Sequence, residues 1–470
     1  MRHARSFILS FSLPLVLASV LVASATALAA QMPDSPTGRM AGALLELAAN
    51  PDDASLDLFV TERLAAAAPP EVTRSLHGLR RECAGGEMAG AKKTGASSAT
   101  LTLALPDGRC EVAFTIEDEA PHGLLELAID VAMGGAPQSE LDLQLPSGDD
   151  AALAEALDRQ LKRLAADDEF SGVVLLARQG EPIFHRAYGY ANRETGQLNT
   201  VDTRFDIGSI TKLITRIAIA QLAQAGELDL AATVSSVLPD YPNAEIGGRI
   251  SVQQLLDHSS GLGDIFNERW AGVDKSKLLT PRDFFPLFAD QPLGFEPGSS
   301  RSYSNAGFIV LGAIVEAVSG QSYTDYLARH IFAPAGMNAS GFPIRDGSDA
   351  NLAVGYADED GTGLRPNLGM LPIRGCPAGS SSHTAADLMT LEHALRDGRL
   401  LDDRWTGWVY TESLENPGSA RNWTVGVAGG GPGVSAILEA DNEVTAVVVS
   451  NFDPPAASQL GRELYDALNQ

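Results

Sequence analysis

The chain has 470 residues, with 60 acidic against 34 basic side chains and a formal net charge of −26. That acidity argues against nucleic acid and anionic membrane surfaces as partners and favours a soluble protein. The eight histidines and three cysteines show no metal-ligand spacing, so neither a metal nor a cofactor is expected.

Arg2 and Arg5 precede an apolar run from Phe7 to Leu28, which Pro14 interrupts, and Ala27-Leu28-Ala29 supplies small residues for cleavage. Residues 1–29 are therefore expected to be a signal peptide, giving an exported protein, periplasmic or secreted, with no membrane insertion after cleavage. The run is almost long enough for an uncleaved anchor, but Pro14 and the many alanines favour removal. Residues 39–82 read as helices. From Ala99 the period changes to two, in Thr100–Leu105, Cys110–Ile116 and Leu124–Val131, with turns at Pro106-Asp107-Gly108 and Pro121-His122-Gly123. Residues 39–133 thus read as a small α+β domain with no catalytic constellation. In an oxidising compartment Cys83 and Cys110 can bridge two of its strands and leave Cys376 free; three buried thiols are the other reading. Residues 134–150, rich in Gly, Pro, Ser and Asp, read as a linker.

The second domain, 151–470, opens with a helix over 151–166. Strands follow at 171–178 and 182–188, around Gln179-Gly180-Glu181. Its end mirrors that start, with strands near 424–427, 435–440 and 444–451 and a closing helix over 456–468. The fold class read from this pattern is α+β: one antiparallel sheet flanked by helices, closed by both ends of the domain, with a large, mostly helical insertion between about 210 and 420.

Ser209 and Lys212 form the only Ser-x-x-Lys in a chain of six lysines. They open a segment that is apolar nearly all round: Ile210, Leu213, Ile214, Ile217, Ala218, Ile219, Ala220 and Leu222. Such a helix is buried, and three residues' separation puts hydroxyl and amine on one face. Burial disfavours the charged form of an amine, so a lysine there is suited to take the serine's proton. Downstream, Tyr303-Ser304-Asn305 precedes the apolar run Ala306–Gly312 and follows Phe295-Glu296-Pro297-Gly298. There a side chain can project from a loop into a cleft.

Taken together, Phe205-x-Ile207-Gly208-Ser209-x-Thr211-Lys212, Leu255–Leu262 (which includes His258-Ser259-Ser260-Gly261-Leu262) and Phe295–Gly298 with Tyr303–Gly307 resemble the serine β-lactamase-related superfamily. That superfamily comprises class C β-lactamases, D-alanyl-D-alanine peptidases and esterase relatives. Pro377-Ala378-Gly379, Thr384–Leu388 and the glycine-rich Gly429–Gly433 follow in the family's order, so the resemblance spans about residues 150–470. It implies Ser209 as the acylated nucleophile, Lys212 as its activator and Tyr303 as the proton shuttle. Asn305 would hold Lys212 and the substrate amide. The backbone N–H groups of Ser209 and Gly430 would form the oxyanion site, beside Gly429. The family places Lys or His two residues before that glycine; here Val427-Ala428-Gly429 lacks it, and Lys93-Thr94-Gly95 lies upstream of the nucleophile, in the small domain. His258 reads as a structural histidine, and His383 and His393 as surface or capping residues. No Gly-x-Ser-x-Gly elbow is present, which disfavours an α/β-hydrolase. The expected function is a serine hydrolase acting through an acyl-enzyme on an ester, amide or peptide of small-molecule or peptide type, with neutral esters favoured over carboxylate-bearing lactams. The alternative is a catalytically impaired relative that binds a partner or cell-wall fragment.

Overall fold

The computed structural model describes residues 35–49, stretches between 58 and 133, residues 145–146, and 149–469 apart from 359–362 and 412–424. The expected signal peptide and most of the expected linker lie outside the described residues. The chain divides between Ser139 and Glu140 into two units.

In the first unit, α1 (Pro36–Ala49) precedes a four-stranded antiparallel meander of β1 (Glu87–Lys93), β2 (Ser98–Leu105), β3 (Gly108–Ile116) and β4 (Leu124–Met133). The period-two pattern has a direct outcome: Leu101 and Leu103, Val112, Phe114 and Ile116, and Leu124 and Leu127 all enter one core with Met40, Leu44 and Leu47 of α1. β1 was not expected. Its sequence, Glu-Met-Ala-Gly-Ala-Lys-Lys, has no β-branched residue and no alternation. It forms because β2 offers it an unpaired edge, and two lysines close it. Cys83 and Cys110 are joined in a disulfide. This is not the strand-to-strand bridge anticipated, because Cys83 precedes β1 outside any strand and is tied to β3. Cys376 is a buried free thiol.

The second unit starts with α2 (Asp150–Ala166), whose N-cap Asp149 accepts from the N–H groups of Ala151 and Ala152 through its carboxylate. β5 (Gly172–Arg178) and β6 (Glu181–Tyr188) form a hairpin. The chain then passes through β7 (Phe205–Asp206), α3 (Thr211–Gln224), α4 (Asn305–Ser319), β8 (Ser382–His383) and α5 (Ala385–Arg396). It returns as β9 (Val425–Gly431), β10 (Val434–Ala440), β11 (Val444–Ser450) and α6 (Ala456–Leu468). The sheet order is β9-β10-β11-β5-β6, antiparallel throughout, so strands from both ends of the domain pair at its centre.

Strand alternation splits the burial between two faces. Val174, Leu176, Ile437 and Val448 meet α2 and α6 through Leu157, Leu161, Leu460 and Leu464. Val173, Leu175, Leu438 and Val449 face the other way, into the core built with α3 and α4. α4 is apolar on all sides and wholly buried from Ala306 to Val315, with Ser304 as its N-cap and Gly320 in the left-handed region as its stop. The insertion is mainly helical, as read, and also contributes β8 to a short ribbon with β7, which precedes it. On that ribbon His383 is completely buried, edge-on to Phe332, and not on the surface as anticipated. The capping task falls to Thr384, whose hydroxyl accepts from Asp387 N. His393 is half-buried.

Candidate active site

Ser209 sits in the middle of a 3-10 turn, Gly208–Ile210, that leads straight into α3. Gly208 has φ +52°, a conformation that favours glycine. Its N–H is accepted by Asp206 Oδ1 at 2.8 Å, and the other oxygen of that carboxylate pairs with Arg345. The turn lies against β9. A Cβ on Gly429 would come within 1.9 Å of Ile207 O and 2.7 Å of Ser209 N, and one on Gly208 within 2.7 Å of Gly430 N. Only glycine lets these two backbones approach so closely. The backbones that carry the N–H groups of Ser209 and Gly430 therefore lie side by side.

Lys212, one turn further on, is 7% exposed. Its Nζ donates to Asn305 Oδ1 at 2.7 Å and to the Ala378 carbonyl at 2.5 Å, and lies 3.1 Å from Ser209 Oγ. An ammonium would spend one N–H on each. A neutral amine would keep its two N–H bonds for the two short contacts and turn its lone pair to Ser209. The Tyr303 hydroxyl closes the constellation at 2.7 Å from Ser209 Oγ. Its ring lies 4.7 Å from Lys212 Nζ and the Phe308 ring 5.6 Å from it, so aromatic faces line the amine where no hydrogen bond does.

Tyr303 is 54% exposed, and its ring is held from one side. His258 stacks on it with centroids 4.7 Å apart and planes 25° from parallel. Burial, with Lys212 nearby, pushes the His258 imidazole down to about 3. The ring is therefore neutral, and its Nδ1 accepts from Ser304 N at 3.1 Å. His258 itself adopts φ +62°, a strained conformation for a residue with a Cβ. This fits the structural reading of His258 and gives that role a purpose, setting the angle of Tyr303.

The structure brings together Ser209, Lys212, Tyr303 and Asn305, with Gly429 and Gly430 beside them. Lys93 belongs to β1 in the first unit, and Thr94 and Gly95 lie outside the described residues. Val427 falls on the same face of β9 as Gly429, two residues away, and packs against the apolar core. Sequence reasoning missed Asp264. Its Oδ2 accepts from both Asn305 N and Asn305 Nδ2, at 3.2 and 2.8 Å, and so turns the amide oxygen of Asn305 to Lys212. Nothing in the spacing of 264 and 305 marks that pair. The role of the Ala378 carbonyl was also missed, although Pro377-Ala378-Gly379 was visible as a motif.

The family model described as Beta-lactamase matches residues 157–470. Among curated proteins, the chain is 30% identical over 314 residues to the putative penicillin-binding protein PbpX of Bacillus subtilis (strain 168), covering 64% of this chain and 76% of that one. It is 36% identical over 233 residues to esterase EstB of Burkholderia gladioli, covering 47% and 59% respectively. Among solved structures, a penicillin binding protein from Bacillus halodurans superposes with TM-score 0.57 at 31% identity, over 65% of this chain and 99% of that one.

Proposed function

The chain belongs to the β-lactamase family, a family of serine hydrolases, and we propose that it is an exported enzyme that acylates at Ser209 and favours neutral esters over carboxylate-bearing lactams. The observation that carries this reading is the convergence of Lys212 Nζ and Tyr303 OH on one oxygen, Ser209 Oγ. In the proposed step Oγ attacks the acyl carbon while its proton passes to Lys212 Nζ. The oxygen that gains charge lies between the N–H groups of Ser209 and Gly430. Collapse breaks the bond to the leaving group, which takes its proton from Tyr303 OH, and Lys212 passes the serine proton on to the tyrosine oxygen. Water later attacks the acyl carbon, its hydroxyl leaving in the acid and its other proton returning to Oγ.

The substrate preference comes from Val427. A substrate carboxylate loses hydration on binding and needs a cation in return. Valine supplies none, and no basic residue lies between Arg421 and Asp441. Arg345, near the nucleophile turn, is already paired with Asp206. A missing charge-assisted hydrogen bond is worth about 1.5–3 kcal/mol, or roughly 10- to 150-fold in rate. Wild type should therefore show a higher kcat/KM for a p-nitrophenyl ester than for a chromogenic cephalosporin, and Val427→His should narrow that ratio by about 10-fold or more. Efficient wild-type cephalosporin hydrolysis, unchanged by the substitution, would overturn the preference.

Support for export is the basic, then apolar, then small-residue order of the first 29 residues. Mass spectrometry of the exported protein should find Ala30 or Gln31 at the N-terminus. An intact Met1 terminus in the membrane fraction would replace secretion with anchoring.

A further inference from the structure

We propose that His383 is a positioning residue for acylation, a neutral imidazole protonated on Nδ1 that carries a one-way hydrogen-bond relay from Thr211, two residues beyond Ser209, to Asp387. The proposal rests on Ser209 being the acylated residue.

The nucleophile turn is pinned from behind by the segment that runs into β8. Ser380 N donates to Gly208 O at 3.2 Å, Ile207 N donates to Ser381 O at 3.1 Å, and Ser381 N donates to Thr211 Oγ1 at 3.0 Å. Behind these backbone bonds runs a line of side chains. Thr211 Oγ1 is 2.8 Å from Ser381 Oγ, which is 2.8 Å from His383 Nε2. His383 Nδ1 is 2.7 Å from Ser340 Oγ, and Ser340 Oγ donates to Asp387 Oδ2 at 2.7 Å. Ala339 N donates to the same carboxylate oxygen at 2.9 Å. Thr211, Ser381 and His383 are all completely buried, so the contacts among them are not diluted by solvent.

Proton counting fixes the direction. Ser340 spends its only proton on Asp387, so at Ser340 Oγ the imidazole must be the donor, through Nδ1–H. Burial, with a smaller contribution from Arg204, pushes His383 down to about 3, so the ring carries one proton and Nε2 is bare. Ser381 therefore donates to Nε2, and its oxygen is left to accept from Thr211, whose single proton is shared in a three-centre bond with Gly208 O at 2.8 Å. The other tautomer would set a bare Nδ1 against a Ser340 oxygen whose proton is spent on Asp387, two acceptors face to face. In a buried site that leaves a polar group unpaired.

The relay acts on catalysis through geometry. It holds the first residue of α3 and the carbonyl of Gly208, and so sets where Ser209 Oγ and Ser209 N–H stand relative to Gly430. Displacement of a reacting group by about 1 Å can cost on the order of 10²-fold in rate.

Two measurements test it. In wild type with 15N-labelled imidazoles, the His383 signals, assigned by their loss in His383→Gln, should show a protonated Nδ1 and a bare Nε2 between pH 6 and 8. A proton on Nε2 would overturn the relay. In pre-steady-state kinetics, Thr211→Val should lower the acylation rate by about 10- to 100-fold with KM changed less than about twofold. Thr211→Ser, which keeps the hydroxyl, should stay within about threefold of wild type. Wild-type acylation by Thr211→Val, or an equal loss in Thr211→Ser, would show that the hydroxyl does not position the turn. The spectrum tests the relay whether or not Ser209 is acylated, and labelling of Ser209→Ala tests that separately.

Discussion

Ser209→Ala should abolish covalent labelling by a fluorophosphonate while leaving the melting temperature almost unchanged. The loss should be complete because Ser209 Oγ is the one hydroxyl on which both Lys212 and Tyr303 are aimed. Stability should survive because the partners left behind keep other contacts. Lys212 retains Asn305 and the Ala378 carbonyl, and the exposed Tyr303 hydroxyl can turn to water. The turn itself is held by backbone bonds and by Asp206, not by the serine side chain. Peptide mapping of the labelled wild type checks the site. A label that persists in the alanine variant, on another serine, would remove the assignment.

Lys212→Arg should lower acylation by about 10²-fold or more, the scale of losing a general base. Arginine keeps the positive charge but does not deprotonate in proteins, so it cannot offer a lone pair to Ser209. Its planar fork also cannot reproduce three contacts arranged around a single nitrogen. The comparison to make is single-turnover acylation of wild type and variant, with melting curves to confirm that both are folded. A fully active arginine variant would show that Lys212 supplies only charge.

Much of this site could be read from the chain because each part is local. Ser209 and Lys212 are three residues apart, on a 3-10 turn and the helix it runs into, and Tyr303 and Asn305 flank a helix cap. Period-two alternation placed β2–β4, while β5, β10 and β11 read as short apolar runs bounded by turns because both their faces are buried. What stayed hidden depends on contacts between distant segments. Asp264 matters only because its loop reaches the start of α4. His383 reads as polar and terminal, and is buried because β8 pairs with β7. β1 has no intrinsic strand signal and exists because β2 is beside it. The cystine was legible as a pair but not as a placement, because Cys83 lies outside any periodic element.

The sheet order has a kinetic consequence. β5 pairs with β11, Arg178 against Val444, so the centre of the sheet joins two stretches separated by nearly the whole domain. Closing so long a loop carries a large entropic cost before any contact rewards it, which makes such pairing slow. A chain emerging from the ribosome holds β5, β6 and α3 long before β9–β11 exist. Until they arrive, Gly430 cannot meet the nucleophile turn, and the core that β5 shares with α3 and α4 lacks Leu438 and Val449. The hydrolase unit therefore gains its proposed oxyanion site only when its last strands are in place. A partly made chain lacks that arrangement and, with the late strands' half of the core missing, exposes apolar surface of the kind that makes such species prone to aggregate.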